Sequence, residues 1–330
     1  MKHSIRLTLA ALCAGLFFHA PAKAQELVRI ANIGHGYYAG PLYVAMREGL
    51  FEKHGLKADV TFIKGGALVF QAVLGRSADF GILSYEHVLT AAAQGKNIVS
   101  VFNVTTRPLN NLISTNALYD AYPNASIETK VRALKGKKVG APSAGGSGEK
   151  MLGVLAKRYG LALPGDVELV YLGTDASSYV GAFRGRMVDA GIPFEPAGAV
   201  VEQEGLGKIF INLMNGEIPE FRDLVFMTLA THPDMLKERP ETVRKVVAVF
   251  LEAQKILLDP VRGKAIMGAE FPDMSPATND KAYEIVRQIW STDGRMSLEG
   301  AKKVFDFLQP AGTVPVVYEN TFTNAYLPKN

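Results

Sequence analysis

The sequence predicts an α/β fold of two related lobes, with parallel-rich sheets flanked by helices. Three observations carry that expectation. Strand-like and helix-like segments alternate along the chain, one heptad recurs at the same place in two such units, and 330 residues is enough for about two domains.

Residues 27–32 have the apolar β pattern, and Pro41 opens a helical segment over 42–46, in the first turn where its missing N–H is tolerated. Gly49 and Gly55 punctuate the chain before a strand over 58–63. A helix over 68–75 leads to a short strand over 80–83. The rhythm returns with a strand over 139–141, a helix over 151–159 ended by Gly160, and a strand over 167–171. A helix over 179–184 and a strand over 188–192 follow. The heptad Gly75-Arg76-Ser77-Ala78-Asp79-Phe80-Gly81 matches Gly185-Arg186-Met187-Val188-Asp189-Ala190-Gly191, each between a helix and a strand. From Pro233 onward the pattern is mainly helical, and 241–258 carries Val243, Val246, Val247, Phe250 and Leu251 on one face.

Charge and thiol content depend on the first 24 residues. These hold Lys2, Arg6, Lys23, no acid, and the sole cysteine, Cys13. A basic start, an apolar run over 7–18 and Ala22-Lys23-Ala24 make the three-part layout of a secretory signal peptide, with cleavage expected before Gln25 and export to the periplasm. The apolar run falls short of the roughly 20 residues a membrane span needs. Leu12 before Cys13 argues against lipidation. The remainder is close to neutral and thiol-free. It offers no broad basic field for nucleic acid or anionic membrane, no disulfide framework, no zinc–cysteine site and no cysteine nucleophile. His35, His54, His87 and His232 are scattered without metal-ligand spacing, and no nucleophile elbow or H-E-x-x-H occurs. Neither a cofactor nor a metal is expected, and the chain does not read as an enzyme.

Several segments in order resemble a known family: Pro41-Leu42-Tyr43-Val44-Ala45 with Gly49-Leu50-Phe51 and Gly55-Leu56, Gly65-Gly66, the heptad from Gly75, Leu134 to Gly140, Asp166 to Val170, and Phe194-Glu195-Pro196. The resemblance is to solute-binding proteins of ABC importers for nitrate, taurine and alkanesulfonates, the NMT1/THI5-like group. It implies a two-lobed type II periplasmic-binding-protein fold, a small-molecule solute held in the cleft, and a membrane permease that receives the closed form. The protein is expected to act as a monomer. Chain crossings are placed near 104–108 and 222–228. Lobe one is then discontinuous, 25–106 with 229–330, and lobe two is 107–228.

Ligands of open α/β sheets lie beyond the carboxyl ends of strands, so the turns there supply the candidate contacts. The first turn offers Gly36, Tyr37 and Tyr38; at least one tyrosine is expected to line the cleft, the alternative being packing inward. Ser143, Gly145, Gly146 and Ser147 run into a helix start that suits an anion, although Ser143 or Ser147 could simply cap the helix. This is no nucleotide P-loop, because Lys150 lacks the preceding glycine and is followed by Met151. Arg107, beside Thr105 on the first crossing, could clamp an anion or pair with a structural carboxylate. Gly65, Gly66, Ser84, Tyr85, Thr174, Phe194 and Glu195 complete the set. Glu195 could accept from a ligand donor or pair with Arg107. The expected solute is an organic sulfonate or carboxylate with an aromatic body. A neutral pyrimidine or flavin-like solute, a sensor for a membrane kinase, and a biosynthetic enzyme on the same fold are the alternatives.

Overall fold

The computed structural model describes residues 25–63, 65–308 and 314–329. The segment 1–24, with the expected export signal, lies outside the described residues. Ten strands form two five-stranded sheets: β1 (Glu26–Ile33), β2 (Leu56–Ile63), β3 (Phe80–Ser84), β4 (Val99–Thr105), β5 (Leu112–Thr115), β6 (Lys138–Ala141), β7 (Glu168–Tyr171), β8 (Ala190–Gly191), β9 (Gly207–Ile211) and β10 (Met227–Thr231). The first sheet has the order β2-β1-β3-β10-β4 and the second β7-β6-β8-β5-β9.

The two orders are the same pattern. In each, three strands joined through helices run parallel, and the next two pairings are antiparallel. The parallel part follows from the strand–helix–strand rhythm, since parallel neighbours need a crossover. The antiparallel part has another origin. β5 is the first strand after the chain leaves the first sheet, and β10 the first after it returns. Each sheet therefore takes one inner strand from a chain arriving out of the other lobe.

The duplicated heptad performs the same structural task twice. Its second residue turns the chain after a helix, with φ of 61° at Arg76 and 52° at Arg186. Its aspartate then docks on the neighbouring strand. The Asp79 N–H donates to the Arg29 carbonyl at 2.9 Å, while the Arg29 N–H donates to Asp79 Oδ2 at 2.8 Å. In the second lobe the Asp189 N–H donates to the Lys138 carbonyl at 2.8 Å, and the Lys138 N–H to Asp189 Oδ2 at 2.9 Å. The closing glycines let the helix sit on the strand: a Cβ on Gly81 would lie 2.7 Å from Val73, and one on Gly191 3.3 Å from Tyr179.

Helices complete the core. The apolar stripe of the Pro240–Leu258 helix buries Val243, Val246, Val247, Phe250 and Leu257 against β4 and the Gly40–Arg47 helix. Phe250 meets Phe102 edge-on at 5.9 Å.

Asp79 is buried, and burial raises its pKa. The side-chain and backbone N–H groups of Arg29 outweigh that effect and hold the carboxyl below its ordinary value. Its contribution is present at neutral pH and is lost as pH falls through the lowered pKa. Asp79→Ala is expected to reduce stability by about 1–3 kcal/mol, the cost of leaving the Arg29 groups without their acceptor. Asp189→Ala should cost less, since no guanidinium is paired there. Urea denaturation at pH 7 measures both.

Candidate functional site

A cavity of about 20 Å³ lies between the lobes, where the carboxyl ends of the parallel strands face one another. The first lobe contributes Ile33, Gly65, Gly66, Ser84 and His87, which end or follow β1, β2 and β3. The second contributes Pro142, Ser143 and Gly146 to Gly148 after β6, with Thr174 after β7 and Phe194 after β8. The lobes meet closely around it. The Tyr37 N–H donates to the Glu195 carbonyl at 3.0 Å, and a Cβ on Gly34, whose φ is +47°, would fall 2.7 Å from Thr174 Oγ1.

Three helices begin at this cavity: Gly66–Leu74, Tyr85–Ala93 and Ser147–Arg158. Their N-caps are Gly65, Ser84 and Gly146, and none bonds a side chain to its helix's first N–H groups. Partial positive charge from three helix starts is thus concentrated in one place. Two hydroxyls there also lack partners, the buried Ser84 Oγ and Thr174 Oγ1. Buried polar atoms are ordinarily bonded, so these two hydroxyls are donors and acceptors without a partner inside the protein. The site presents N–H and O–H groups, with an apolar wall from Ile33 and Phe194.

The structure brings together Gly65, Gly66, Ser84, Ser143, Gly146, Ser147, Thr174 and Phe194. Gly145 sits at the rim, its N–H donating to Glu149 Oε2 at 2.9 Å. Gly36 and Tyr38 form the layer behind. The Gly36 N–H donates to Tyr43 Oη, the Tyr38 hydroxyl bonds the Ile33 carbonyl, and the Tyr38 ring meets Phe194 edge-on at 5.4 Å. Tyr37 points away into the first lobe. It stacks between Phe271 and Trp290, and its hydroxyl donates to Asn279 Oδ1 at 2.6 Å. Tyr85 is likewise a core residue, with its hydroxyl against Thr321 Oγ1 at 2.5 Å.

Arg107 and Glu195 do not pair with each other. Arg107 donates from Nη1 to the Met214 carbonyl at 3.2 Å, tying the first crossing to the approach of the second. Glu195 accepts from Asn111 Nδ2 at 3.2 Å and from the Ala199 N–H at 3.1 Å, so it caps the Ala197–Gln203 helix. Burial pushes its carboxyl up to about 7, against the pull of those two donors. Thr105 ties the two crossings together: its Oγ1 donates to the Arg107 carbonyl at 3.1 Å and accepts from the Met227 N–H at 3.2 Å.

Sequence reasoning missed Ile33, His87, Pro142 and Gly148. Each adjoins a segment already singled out, and a strand-end search widened by two residues would have included them. Replacing Arg107 by Ala should lower stability by about 1–3 kcal/mol through the lost charged hydrogen bond while leaving solute affinity within about twofold. Denaturation and titration calorimetry on the same variant check both parts.

Comparisons with known proteins agree with this geometry. A family model described as NMT1/THI5 like matches residues 37–262. A Brucella abortus (strain 2308) protein with the name "Putative binding protein" is 27% identical over 251 residues, covering 76% of this chain and 73% of its own. A 4-amino-5-hydroxymethyl-2-methylpyrimidine phosphate synthase of Uromyces fabae is 25% identical over 307 residues, covering 88% of this chain and 84% of its own. Among solved structures, the alkanesulfonate-binding protein SsuA of Xanthomonas axonopodis pv. citri, bound to MOPS, superposes with a TM-score of 0.69 at 17% identity, covering 90% of this chain and 98% of that one. Two lobes of like topology closing on one strand-end cavity, together with a family model that spans most of the sequence, make this chain a member of the NMT1/THI5-like family with the periplasmic-binding-protein fold.

Proposed function

We propose that the protein is an exported solute-binding component of an ABC importer. It captures a small organic anion, a sulfonate or carboxylate, between its lobes and presents the closed form to a membrane permease. The observation that carries this reading is the convergence of three helix starts without side-chain caps and two unpartnered buried hydroxyls on one interlobe cavity. Hydrogen bonds to a charged acceptor contribute about 1.5–3 kcal/mol each, so a few of them reach the roughly −8 kcal/mol of a micromolar complex after ordering costs. Phe194, backed by Tyr38, supplies a flat apolar face for the body of the solute. The SsuA structure bound to MOPS supports the sulfonate choice.

Residues 25–106 with 229–330 move against 107–228 in this reading. A 20 Å³ cavity holds about one water molecule. An organic solute is therefore admitted by lobes standing further apart than here. Binding to both faces then shifts the population toward closure.

The Uromyces fabae synthase favours a second reading, a pyrimidine ligand or pyrimidine chemistry. Against it, both oxygens of the buried Glu195 carboxylate are taken, by Asn111 and Ala199. The single cysteine, Cys13, also provides no cysteine-rich segment.

A thermal-shift screen against alkyl and aryl sulfonates, carboxylates, nitrate and pyrimidines tests the choice. A true ligand at a hundredfold excess over its Kd stabilises by about 2.7 kcal/mol. A sulfonate or carboxylate is expected to stand out, and a response confined to neutral pyrimidines would refute the anion reading. Ser84→Ala and Thr174→Val remove hydroxyls that bond nothing within the protein. Each should leave stability within about 1 kcal/mol of the parent and weaken the identified anion about tenfold.

A further inference from the structure

A charged cluster lies beside the cavity: His87 lines it, while Glu86 and Lys150 stand behind the lining. Glu86, in the first turn of the Tyr85–Ala93 helix, is completely buried, and neither carboxylate oxygen has a hydrogen-bond partner. The nearest cation comes from the other lobe: Lys150 Nζ, in the first turns of the Ser147–Arg158 helix, stands 3.6 Å from Glu86 Oε1. His87 Nε2 is 3.9 Å from the same oxygen. Burial pushes the Glu86 carboxyl up to about 7 against the pull of Lys150, and burial lowers His87 to about 4 with Lys150 adding to the effect. His87 is thus neutral here, and Lys150 is the counter-charge.

We infer that Glu86 and Lys150 form an interlobe latch, in which the second lobe supplies the counter-charge for a carboxylate sealed in the first. The asymmetry of the pair gives the argument its force. Glu86 is sealed, whereas the Lys150 side chain keeps 26% of its surface exposed. Removing the lysine leaves a buried carboxylate uncompensated, a strongly unfavourable state that separation of the lobes relieves by hydrating it. Removing the carboxylate charge leaves a lysine that reaches water without moving either lobe. The latch also fixes lateral register. The helix bearing Lys150 packs on the Leu298–Leu308 helix of the first lobe, so the pair forms only when that seam is closed.

The two single variants should therefore differ, and the double should undo one of them. Small-angle scattering of the solute-free protein at pH 8, where His87 is neutral with the lobes open or closed, reads this directly. Lys150→Met is expected to raise the radius of gyration by about 1 Å above the roughly 20 Å of a compact chain of this length. Glu86→Gln should match the parent, and Glu86→Gln/Lys150→Met should return to the parental value. Lys150→Arg keeps the charge and should also match the parent, while circular dichroism confirms that each variant is folded. An unchanged radius for Lys150→Met, an open Glu86→Gln, or a double variant as open as Lys150→Met would each overturn the latch. The measurement needs no solute, so its failure is distinguishable from failure of the anion reading.

Discussion

Thr105 is the last residue of β4, and its buried hydroxyl touches both chain crossings at once. It donates to the Arg107 carbonyl on the way out and accepts from the Met227 N–H on the way back. Around it, the Leu224 N–H donates to the Thr106 carbonyl and the Phe226 N–H to Thr105. This short ladder ties the outgoing and returning chains together. The geometry of the cavity depends on that constraint, because its two walls belong to bodies joined at this line.

On those bodies, structural glycines and site glycines are easily confused. Gly81 and Gly191 recur in sequence because a helix must press against a strand in each lobe. Gly65 and Gly146 recur in no such way; they precede helix starts that the cavity uses. The duplicated motif is architecture, and the unduplicated turns line the cavity. The same division applies to the acids. Asp79 and Asp189 are clamps whose Oδ2 accepts an N–H from the neighbouring strand, whereas neither oxygen of Glu86 has a hydrogen-bond partner.

Much of the fold was legible because strands, helices and their glycine stops are local. The sheet order was legible only in part. The antiparallel inner strands β5 and β10 arise from chain passage between lobes, which no local pattern records. At the site, the glycine-serine turn and the strand ends were found because position alone places them. The aromatic assignments were harder. Tyr37 and Tyr85 stand at the right turns yet face Trp290 and Thr321, partners more than two hundred residues away. Side-chain direction at such a turn is decided by those distant segments. Arg107 reads from sequence as an anion clamp or a carboxylate partner, and in the fold it serves a backbone carbonyl.

The borrowed inner strand also has a consequence for assembly order. The second sheet is drawn from one continuous stretch, 112–211, and can be completed as soon as that stretch is available. The first sheet cannot. β3 and β4 keep open edges until β10 arrives, and the helix that covers β4 ends only at Leu258. Long-range pairing of this kind is slow, and an unpaired strand edge is an invitation to aggregate. The first sheet thus depends on a segment that lies beyond the whole of the second sheet in sequence.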